Sequence, residues 1–287
     1  MPTRSFKHEL VGVFGLPVAE NPTQAMMEAA FADLGLFWRY LSVEVQPHDL
    51  ADAVRGARAM GWRGFNCTMP HKVAVIPFLD RLNPAAATIG AVNCVVIQNG
   101  DLIGDNTDGK GFLESVAAVR PPAGREVVIL GAGGAARAIA VELALAGARR
   151  IIIVNRSPRS AHELAYLVGT QTPVQVELAP WSGAIPIPAS TDFVVNATSI
   201  GLYPHHDQTP PIDLDTLKPH MIVCDVIPNP PRTLLIQQAE QRGCTTLDGL
   251  GMLVNQGVIG LQLWSGLSPR PEIMRQALED VFAQTSS

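Results

Sequence analysis

Short apolar runs alternate with segments of helical periodicity along most of the chain. Runs rich in β-branched and aliphatic residues at 10–15, 40–45 and 64–68 predict buried strands. Between them, apolar residues three and four positions apart predict helices, the first with Asn21 as N-cap and Pro22 as first helical residue. Strands alternating with helices predict parallel sheets with crossover helices, so the chain is an α/β protein.

One pair of strands is predicted to form a hairpin instead. The apolar runs at 90–97 and 101–106 are separated by Asn99-Gly100, a strong hairpin turn signal.

The clearest motif is a tight turn between the apolar run 127–130 and an alanine-rich helical pattern. Gly131, Gly133 and Ala136 follow the G-x-G-x-x-G/A fingerprint of dinucleotide sites. A helix that begins at such a turn points unpaired N–H groups at an anion. The apolar run 151–154 completes a βαβ unit of about 30 residues. This context favours a dinucleotide site over a purely structural turn.

The end of the second strand of this unit indicates which dinucleotide is bound. An NAD site usually has a carboxylate here for the ribose 2′-hydroxyl, whereas an arginine can receive the 2′-phosphate of NADP. No Asp or Glu occurs from residue 155 to 161, and Arg156 and Arg159 lie within reach. The alternative is that these arginines only solvate the start of the next helix. NADP is therefore preferred to NAD.

Composition limits the compartment and the partners. A chain of 287 residues with 47% hydrophobic content can fill two cores. The net charge of −5, without any Lys/Arg cluster, argues against nucleic acid as a partner. No signal-peptide segment follows residues 1–5, and no apolar run reaches the roughly 18 residues of a membrane span. We therefore expect a cytoplasmic protein without a membrane partner.

The cysteines show no metal-binding pattern. None of the four forms a C-x-x-C pair or lies beside a histidine at metal-ligand spacing. Their apolar surroundings predict buried reduced thiols, and we expect no metal.

A lysine follows the third predicted strand in a suggestive position. Pro70 opens a predicted helix containing Val73, Ile76 and Leu79, which puts Lys72 in its first turn. This is the carboxyl end of a strand, where open α/β sheets bind ligands. Since a lysine at a helix N-terminus opposes the helix dipole, a functional lysine is favoured over a solvated one.

Two further strands end in polar residues. Asp108 begins a predicted helix after residues 101–106, and on position alone it is at least as well explained as an N-cap. Thr198 and Ser199 end another buried strand, again at a carboxyl-end ligand position.

These motifs, in this order, resemble the shikimate dehydrogenase family, which includes quinate/shikimate dehydrogenases and relatives acting on aminoshikimate and cyclitols. The matching segments are residues 66–72, 91–93, 106–109, 131–136, 155–157, 196–199 and 248–257.

The resemblance implies two α/β domains and assigns a role to each. Residues 1–107 plus 249–287 would form an N-terminal substrate-binding domain to which the C-terminal helices return, and residues 108–248 a Rossmann-type NADP-binding domain. Lys72 and Asp108 would be the catalytic pair. The implied substrate-binding residues are Asn21, Thr23, Thr68, Asn93 and Gln256. The implied cofactor-binding residues are Gly131, Ala132, Gly133, Gly134, Ala135, Asn155, Arg156, Ser157, Arg159, Thr198, Ser199, Gly249 and Met252.

The implied chemistry suits these residue types. When a secondary alcohol is oxidised by hydride transfer its hydroxyl proton must be removed, which a lysine positioned by a carboxylate can do. The nicotinamide performs the redox chemistry. The default reaction interconverts shikimate and 3-dehydroshikimate. The expected partner is thus a small polyhydroxylated ring, bound by a monomer or homodimer.

Departures from the family pattern bear on the substrate. The family's early motif usually reads G-x-P-I-x-H-S-x-S-P, and its serines bind the substrate carboxylate. Here the serines align with Asn21 and Thr23, and the histidine aligns with Glu20, whose negative charge disfavours an anion. The D-V-x-Y-N-P motif has Pro228 at its tyrosine position.

Two alternatives therefore stay open. One is a paralogue acting on quinate, aminoshikimate or an uncharged cyclitol. The other is a dinucleotide-binding sensor without turnover, which the intact Lys72 and Asp108 oppose.

Overall fold

Two six-stranded sheets organise residues 6–285, the part of the chain that the computed structural model describes. The chain divides into two compact units. The first runs to Thr107 and resumes at Gly257, and the second runs from Asp108 to Gln256. Residues 1–5, on which the signal-peptide prediction partly rests, lie outside the described part.

The first unit holds a mixed sheet. Its strands are β1 (Glu9–Gly15), β2 (Trp38–Glu44), β3 (Gly64–Cys67), β4 (Arg81–Leu82), β5 (Cys94–Gln98) and β6 (Asp101–Asp105). Its helices are α1 (Thr23–Asp33), α2 (Leu50–Ala59), α3 (His71–Ala74) and α4 (Pro84–Ile89). The spatial order is β2-β1-β3-β5-β6-β4, with β5 antiparallel to both of its neighbours. The amino end of β5 therefore lies at the same edge as the carboxyl ends of β1, β3 and β6.

The predicted hairpin is confirmed. β5 and β6 pair in register up to Gln98 and Asp101. Asn99 has φ 54° and Gly100 has φ 89°, the two positive values that a tight two-residue turn requires.

Two helix predictions need correction. Helix α1 begins at Thr23, one residue later than predicted, although the Asn21 side chain does cap this end by accepting from the Thr23 N–H at 3.0 Å. The prediction of one continuous helix from Pro70 through Leu79 is wrong. Helix α3 ends at Ala74, a 3₁₀ turn follows at Ile76–Phe78, and Val73 is exposed.

The second unit holds a parallel sheet. Helix α5 (Thr107–Ala117) leads into β7 (Glu126–Leu130), α6 (Gly134–Leu145), β8 (Arg150–Val154), α7 (Pro158–Gln171) and β9 (Gln175–Ala179). The chain continues through β10 (Phe193–Asn196), β11 (Ile222–Asp225), α8 (Leu234–Gln241), β12 (Thr245–Leu247) and α9 (Gly249–Ser265). The spatial order, β12-β11-β10-β7-β8-β9, is the 3-2-1-4-5-6 order of dinucleotide-binding folds read from the other side.

The last helices belong to the first unit, as the fold prediction required. The division of the chain falls inside α9, between Gln256 and Gly257. After it, the Trp264 indole N–H donates to the Val95 carbonyl at 3.0 Å. Helix α10 (Pro271–Thr285) packs against α1.

The four cysteines lie within residues 6–285, where they are buried and not disulfide-bonded. Burial raises the pKa of the Cys67 thiol to about 12, so this thiol stays protonated at neutral pH and is unreactive. Among the described side chains, no group of His, Cys, Asp or Glu could hold a metal ion. None of the described helices has the length and apolar character that crossing a membrane requires.

Candidate functional site

In the first unit, the predicted substrate residues collect at one edge of the sheet. Asn21 and Thr23 follow β1, and Thr68 and Lys72 follow β3. Asn93 directly precedes β5. Because β5 is antiparallel to its neighbours, all of these residues lie at the same edge.

A buried relay of hydrogen bonds holds Asn93, in which Thr107 fixes the side-chain amide and Asn66 bonds the backbone carbonyl. Its Oδ1 accepts from the Thr107 N–H at 2.6 Å, and its Nδ2 donates to the Thr107 hydroxyl at 3.0 Å. Behind it, the Asn66 amide donates to the Asn93 carbonyl at 3.0 Å, and the Tyr40 hydroxyl donates to Asn66 Oδ1 at 2.7 Å. The amide of Asn93 is thus held in one orientation. The sequence reasoning missed Tyr40, Asn66 and Thr107 in this role.

Lys72 lies on α3 and is partly buried. Its carbonyl accepts from the Val92 N–H at 2.7 Å. The preceding residue, His71, is fully buried, and its Nε2 lies 2.8 Å from the Val45 carbonyl oxygen.

The loop after β1 carries negative charge. Glu20 is exposed, and Glu44, at the end of β2, accepts from the Val18 N–H at 3.4 Å. The residues from 16 to 24 include no Lys or Arg. Thr23 is only 6% exposed, and Asn21 uses its side-chain oxygen to cap α1. This loop therefore has an amide and a hydroxyl at the positions of the family's serines, and a carboxylate, Glu20, at the position of its histidine.

In the second unit, the glycine-rich turn has the geometry of a dinucleotide site. Gly131 has φ 110°, and a Cβ there would lie 2.8 Å from the Ala197 carbonyl oxygen, so only glycine fits. Gly133 and Gly134 are exposed, and a Cβ on either would meet nothing within 4 Å. Helix α6 begins at Gly134, and Ala136 is fully buried against the sheet. Open space before a helix N-terminus fits a pyrophosphate.

The two predicted arginines differ in their surroundings. Arg159 is exposed and pairs with Glu163 one helical turn on, at 2.8 Å. Arg156 is also exposed, and it makes no ion pair with any residue that the structure describes. Between them, Ser157 caps α7, and its carbonyl accepts from the Asn155 amide at 3.0 Å. Solvation of the helix start thus accounts for Arg159 better than for Arg156.

A second network holds the turn after β10. The Thr198 N–H and hydroxyl both donate to Asn196 Oδ1, at 3.1 and 2.7 Å. The Asn196 amide donates to Asp225 at 3.0 Å, and so does the Thr233 hydroxyl at 2.8 Å. Burial raises the pKa of Asp225 to about 6, although these hydrogen bonds lower it. Sequence reasoning missed this role for Asp225, despite its place in the altered D-V-x-Y-N-P motif.

Ser199, the next predicted cofactor residue, is exposed beside this turn. A methyl group of Thr198 lies 3.3 Å from the position that a Cβ on Gly131 would occupy. The turns after β7 and β10 therefore lie side by side, at the point where the strand order reverses. Ligands of open α/β sheets bind at that point.

Helices α5 and α9 approach each other closely within the second unit. A Cβ on Gly111 would lie 2.6 Å from the Gln256 nitrogen. Gln256 is buried, and Met252, one turn earlier, is partly buried. Asp108 lies in the first turn of α5.

The first turn of α9 packs tightly on the loop after β11. A Cβ on Gly249 would lie 2.3 Å from the Ile227 carbonyl oxygen, so this position has no room for a side chain. The Asp248 carboxylate accepts from the Gly251 N–H at 3.2 Å and caps the helix. The division of the chain assigns Asp108, Met252, Gln256 and Gly249 to the second unit and Lys72 to the first.

A parallel sheet in this order, with a glycine-rich turn at its reversal point, is typical of dinucleotide-binding domains. Three family profiles match. The shikimate dehydrogenase substrate binding domain covers residues 13–95, shikimate/quinate 5-dehydrogenase covers 117–206, and the shikimate 5′-dehydrogenase C-terminal domain covers 249–279. The chain belongs to the shikimate dehydrogenase family.

Relatives match along almost the whole chain. The NADP(+) shikimate dehydrogenase of Desulforamulus reducens is 42% identical over 282 residues, 97% of each chain. The crystal structure of 5-ketofructose reductase from Gluconobacter sp. strain CHM43, in ligand-free form, is 53% identical, with 97% of this chain and 100% of that one covered and a TM-score of 0.94. A shikimate dehydrogenase solved with NADP+ is 36% identical, with 97% of each chain covered and a TM-score of 0.91. The predicted family, fold and enzyme class are confirmed.

Proposed function

We propose that this chain catalyses the NADP-dependent, reversible reduction of an uncharged polyhydroxylated ketone to an alcohol, with 5-ketofructose as the first substrate to test. The observation that carries the proposal is the loop after β1, in which Asn21 accepts from the Thr23 N–H, Glu20 is a carboxylate, and Glu44 at the end of β2 bonds Val18. The similarity to 5-ketofructose reductase supports the same choice.

The charge of this loop argues against a substrate carboxylate. Two like charges about 4 Å apart repel by about 1 kcal/mol even in bulk water, and by more near a protein surface. Two carboxylates at that distance from a bound anion would lower its affinity roughly 30-fold, and by less at a longer distance. A ketosugar has no carboxylate, so it escapes this repulsion, and its hydroxyls can donate to Glu20.

The open glycine-rich turn and the helix N-terminus behind it would hold the cofactor. Gly131–Ala135 would receive the pyrophosphate, and Thr198 and Ser199 lie beside that turn. Arg156 would receive the 2′-phosphate, with Asn155, Ser157 and Arg159 around it. Gly249 and Met252, at the start of α9, would complete the site. The nicotinamide supplies the hydride.

Lys72 and Asp108 would carry the proton chemistry. During reduction the Lys72 ammonium donates a proton to the carbonyl oxygen, and during oxidation it takes that proton back. Asp108 orients the ammonium and accepts a hydrogen bond from a neighbouring substrate hydroxyl. Thr68, Asn93 and Gln256 hold other substrate oxygens, and the relay behind Asn93 keeps its amide in place.

The test follows absorbance of the reduced nicotinamide with purified protein. We expect kcat/KM for 5-ketofructose with NADPH to be tens of times higher than kcat/KM for shikimate with NADP. Lys72→Met should lower kcat by about 10²–10⁴-fold, the usual contribution of a general acid–base. Turnover of shikimate as fast as 5-ketofructose would overturn the proposed substrate class. Cofactor binding with no turnover of any polyol would favour a sensor.

A paired substitution isolates the charge argument. Glu20→Gln should raise kcat/KM for shikimate several-fold, and more at low salt, because it removes a charge beside the bound carboxylate. The matched control is Asp101→Asn, which removes the same charge from the opposite edge of the same sheet. An equal effect from both variants would contradict a local role for Glu20.

Shikimate and 3-dehydroshikimate are the second candidate pair. They are favoured by the curated relatives, whose printed name is shikimate dehydrogenase (NADP(+)). In that case the Thr23 hydroxyl and the Asn21 amide would hold the substrate carboxylate in place of the family's serines.

A further inference from the structure

The helix that carries Lys72 is too short to hold its own position. Helix α3 spans four residues, a single turn, and such a short helix is unstable without outside contacts. Val73 and Ala74 are exposed and Lys72 is partly buried, so among these described residues only His71 is buried. Within α3, His71 is thus the residue that packs on the first unit, and Val75, directly after the helix, is buried in the core.

The hydrogen bond of His71 has a fixed direction. A carbonyl oxygen only accepts, so the contact with the Val45 carbonyl at 2.8 Å requires the hydrogen on Nε2. The other ring nitrogen, Nδ1, is buried and has no hydrogen-bond partner among the described residues. The ring is thus tied at one atom, and that atom is a donor.

The acceptor of this bond belongs to a well-held part of the sheet. Val45 follows β2 and is buried, and its N–H donates to the Gly15 carbonyl at 3.0 Å. On the other side of α3, the Lys72 carbonyl accepts from the Val92 N–H at 2.7 Å. Lys72 therefore lies between these two anchors, one of which is the side chain of the neighbouring His71.

We infer that His71 is a positioning residue for Lys72, and that its Nε2–H bond to the Val45 carbonyl keeps the ammonium where proton transfer to the substrate occurs. The inference rests on the proposed role of Lys72. Loss of this donor should lower kcat and leave the KM of the ketone nearly unchanged, because the substrate's other contacts remain. A displacement of about 1 Å can cost about 100-fold in rate.

Two amide substitutions separate the donor from the bulk of the ring. The amide nitrogen of glutamine reaches the position of Nε2, whereas that of asparagine reaches only the position of Nδ1. We expect His71→Asn to lose about 100-fold in kcat and His71→Gln to stay within several-fold of the parent. In His71→Asn the solvent deuterium isotope effect on kcat should also rise, because delivery of the proton becomes slower than hydride transfer.

A stability control and a catalytic control complete the test. Val54→Ala opens a cavity in the core to which α2 contributes and should lower stability while keeping kcat and the isotope effect. If Lys72→Met keeps full activity, the proposed role of Lys72 fails. If Lys72→Met is inactive and His71→Asn keeps the parental kcat, the positioning inference fails and the proposed function survives.

A rescue experiment covers the case in which His71→Asn does not fold. Imidazole added to His71→Gly can restore the lost N–H donor, whereas 1-methylimidazole fills the same space without one. Recovery of kcat with imidazole and not with 1-methylimidazole supports the inference. Equal recovery with both, or with neither, overturns it.

Discussion

Replacement of Asp225 by asparagine is expected to stabilise the second unit at neutral pH. Asp225 ends β11 and is buried, and burial raises the pKa of its carboxyl from 3.8 to about 6. Hydrogen bonds from Thr233, Asn196 and the Ile227 N–H oppose this shift without cancelling it. The folded protein therefore binds this proton more tightly than the unfolded chain does.

The sign and size of the effect follow from linkage. The contribution of Asp225 to stability is fully present below pH 3.8 and is lost as the pH rises through about 6. The difference between the two pKa values corresponds to about 3 kcal/mol of unfolding free energy. Asparagine stays neutral at every pH and so avoids this loss.

The neighbours of Asp225 can accommodate the amide. Its oxygen can accept from Asn196 and Ile227 as the carboxylate does. Its NH₂ then faces the Thr233 hydroxyl, which can rotate to accept while still capping α8 through the Ile236 N–H. The variant should therefore keep the turn at Thr198, and with it the KM for NADP.

Urea unfolding of both proteins between pH 4 and pH 8 measures this difference. The gain in stability of Asp225→Asn over the parent should be near zero at pH 4 and rise towards about 3 kcal/mol by pH 7. Asp207→Asn, on an exposed loop, makes the same chemical change without burial. A gain independent of pH, or a loss that grows with pH, would show that the hydrogen bonds outweigh desolvation, and would refute the reasoning.

Two further predictions concern the cofactor and the helix contact in the second unit. Arg156→Ala should raise the KM for NADP about 10–100-fold and leave that for NAD unchanged, because a charged hydrogen bond contributes about 1.5–3 kcal/mol. The control Arg55→Ala removes an exposed arginine of α2, outside the proposed cofactor site, and should change neither KM; equal effects from both variants would contradict the assignment. Gly111→Ala should lower the thermal midpoint, since its Cβ would lie 2.6 Å from the Gln256 nitrogen, and overpacking costs about 1–3 kcal/mol. Gly56→Ala, in α2 with only a flexible methionine end at 3.8 Å, should instead raise the midpoint, and a matching loss there would contradict a local clash.

Features with local causes could be predicted from the sequence. The turn at Gly131 needs a positive φ and close approach of a neighbouring strand, and both demands appear as glycine in the sequence itself. The hairpin at Asn99-Gly100 is a similar case, because two adjacent residues determine its turn.

Features that depend on register could not be predicted in this way. The Asn66 amide reaches the Asn93 carbonyl only because β3 and β5 pair in one particular register. Asp225 meets Asn196 for the same reason across β10 and β11. The helix after Pro70 was overpredicted, since a short helix followed by a 3₁₀ turn can carry apolar residues at nearly helical spacing.

The residues proposed to select the substrate differ from most of the residues that identify the family. The segments that match the family pattern contain the residues proposed for cofactor binding and proton transfer, together with Thr68, Asn93 and Gln256. The loop from Glu20 to Thr23 is where the chain departs from the family's early motif, although the other segments match. A relative named shikimate dehydrogenase and one named 5-ketofructose reductase both align over nearly the whole chain. The charge of one loop, rather than overall identity, is therefore the feature that should discriminate between them.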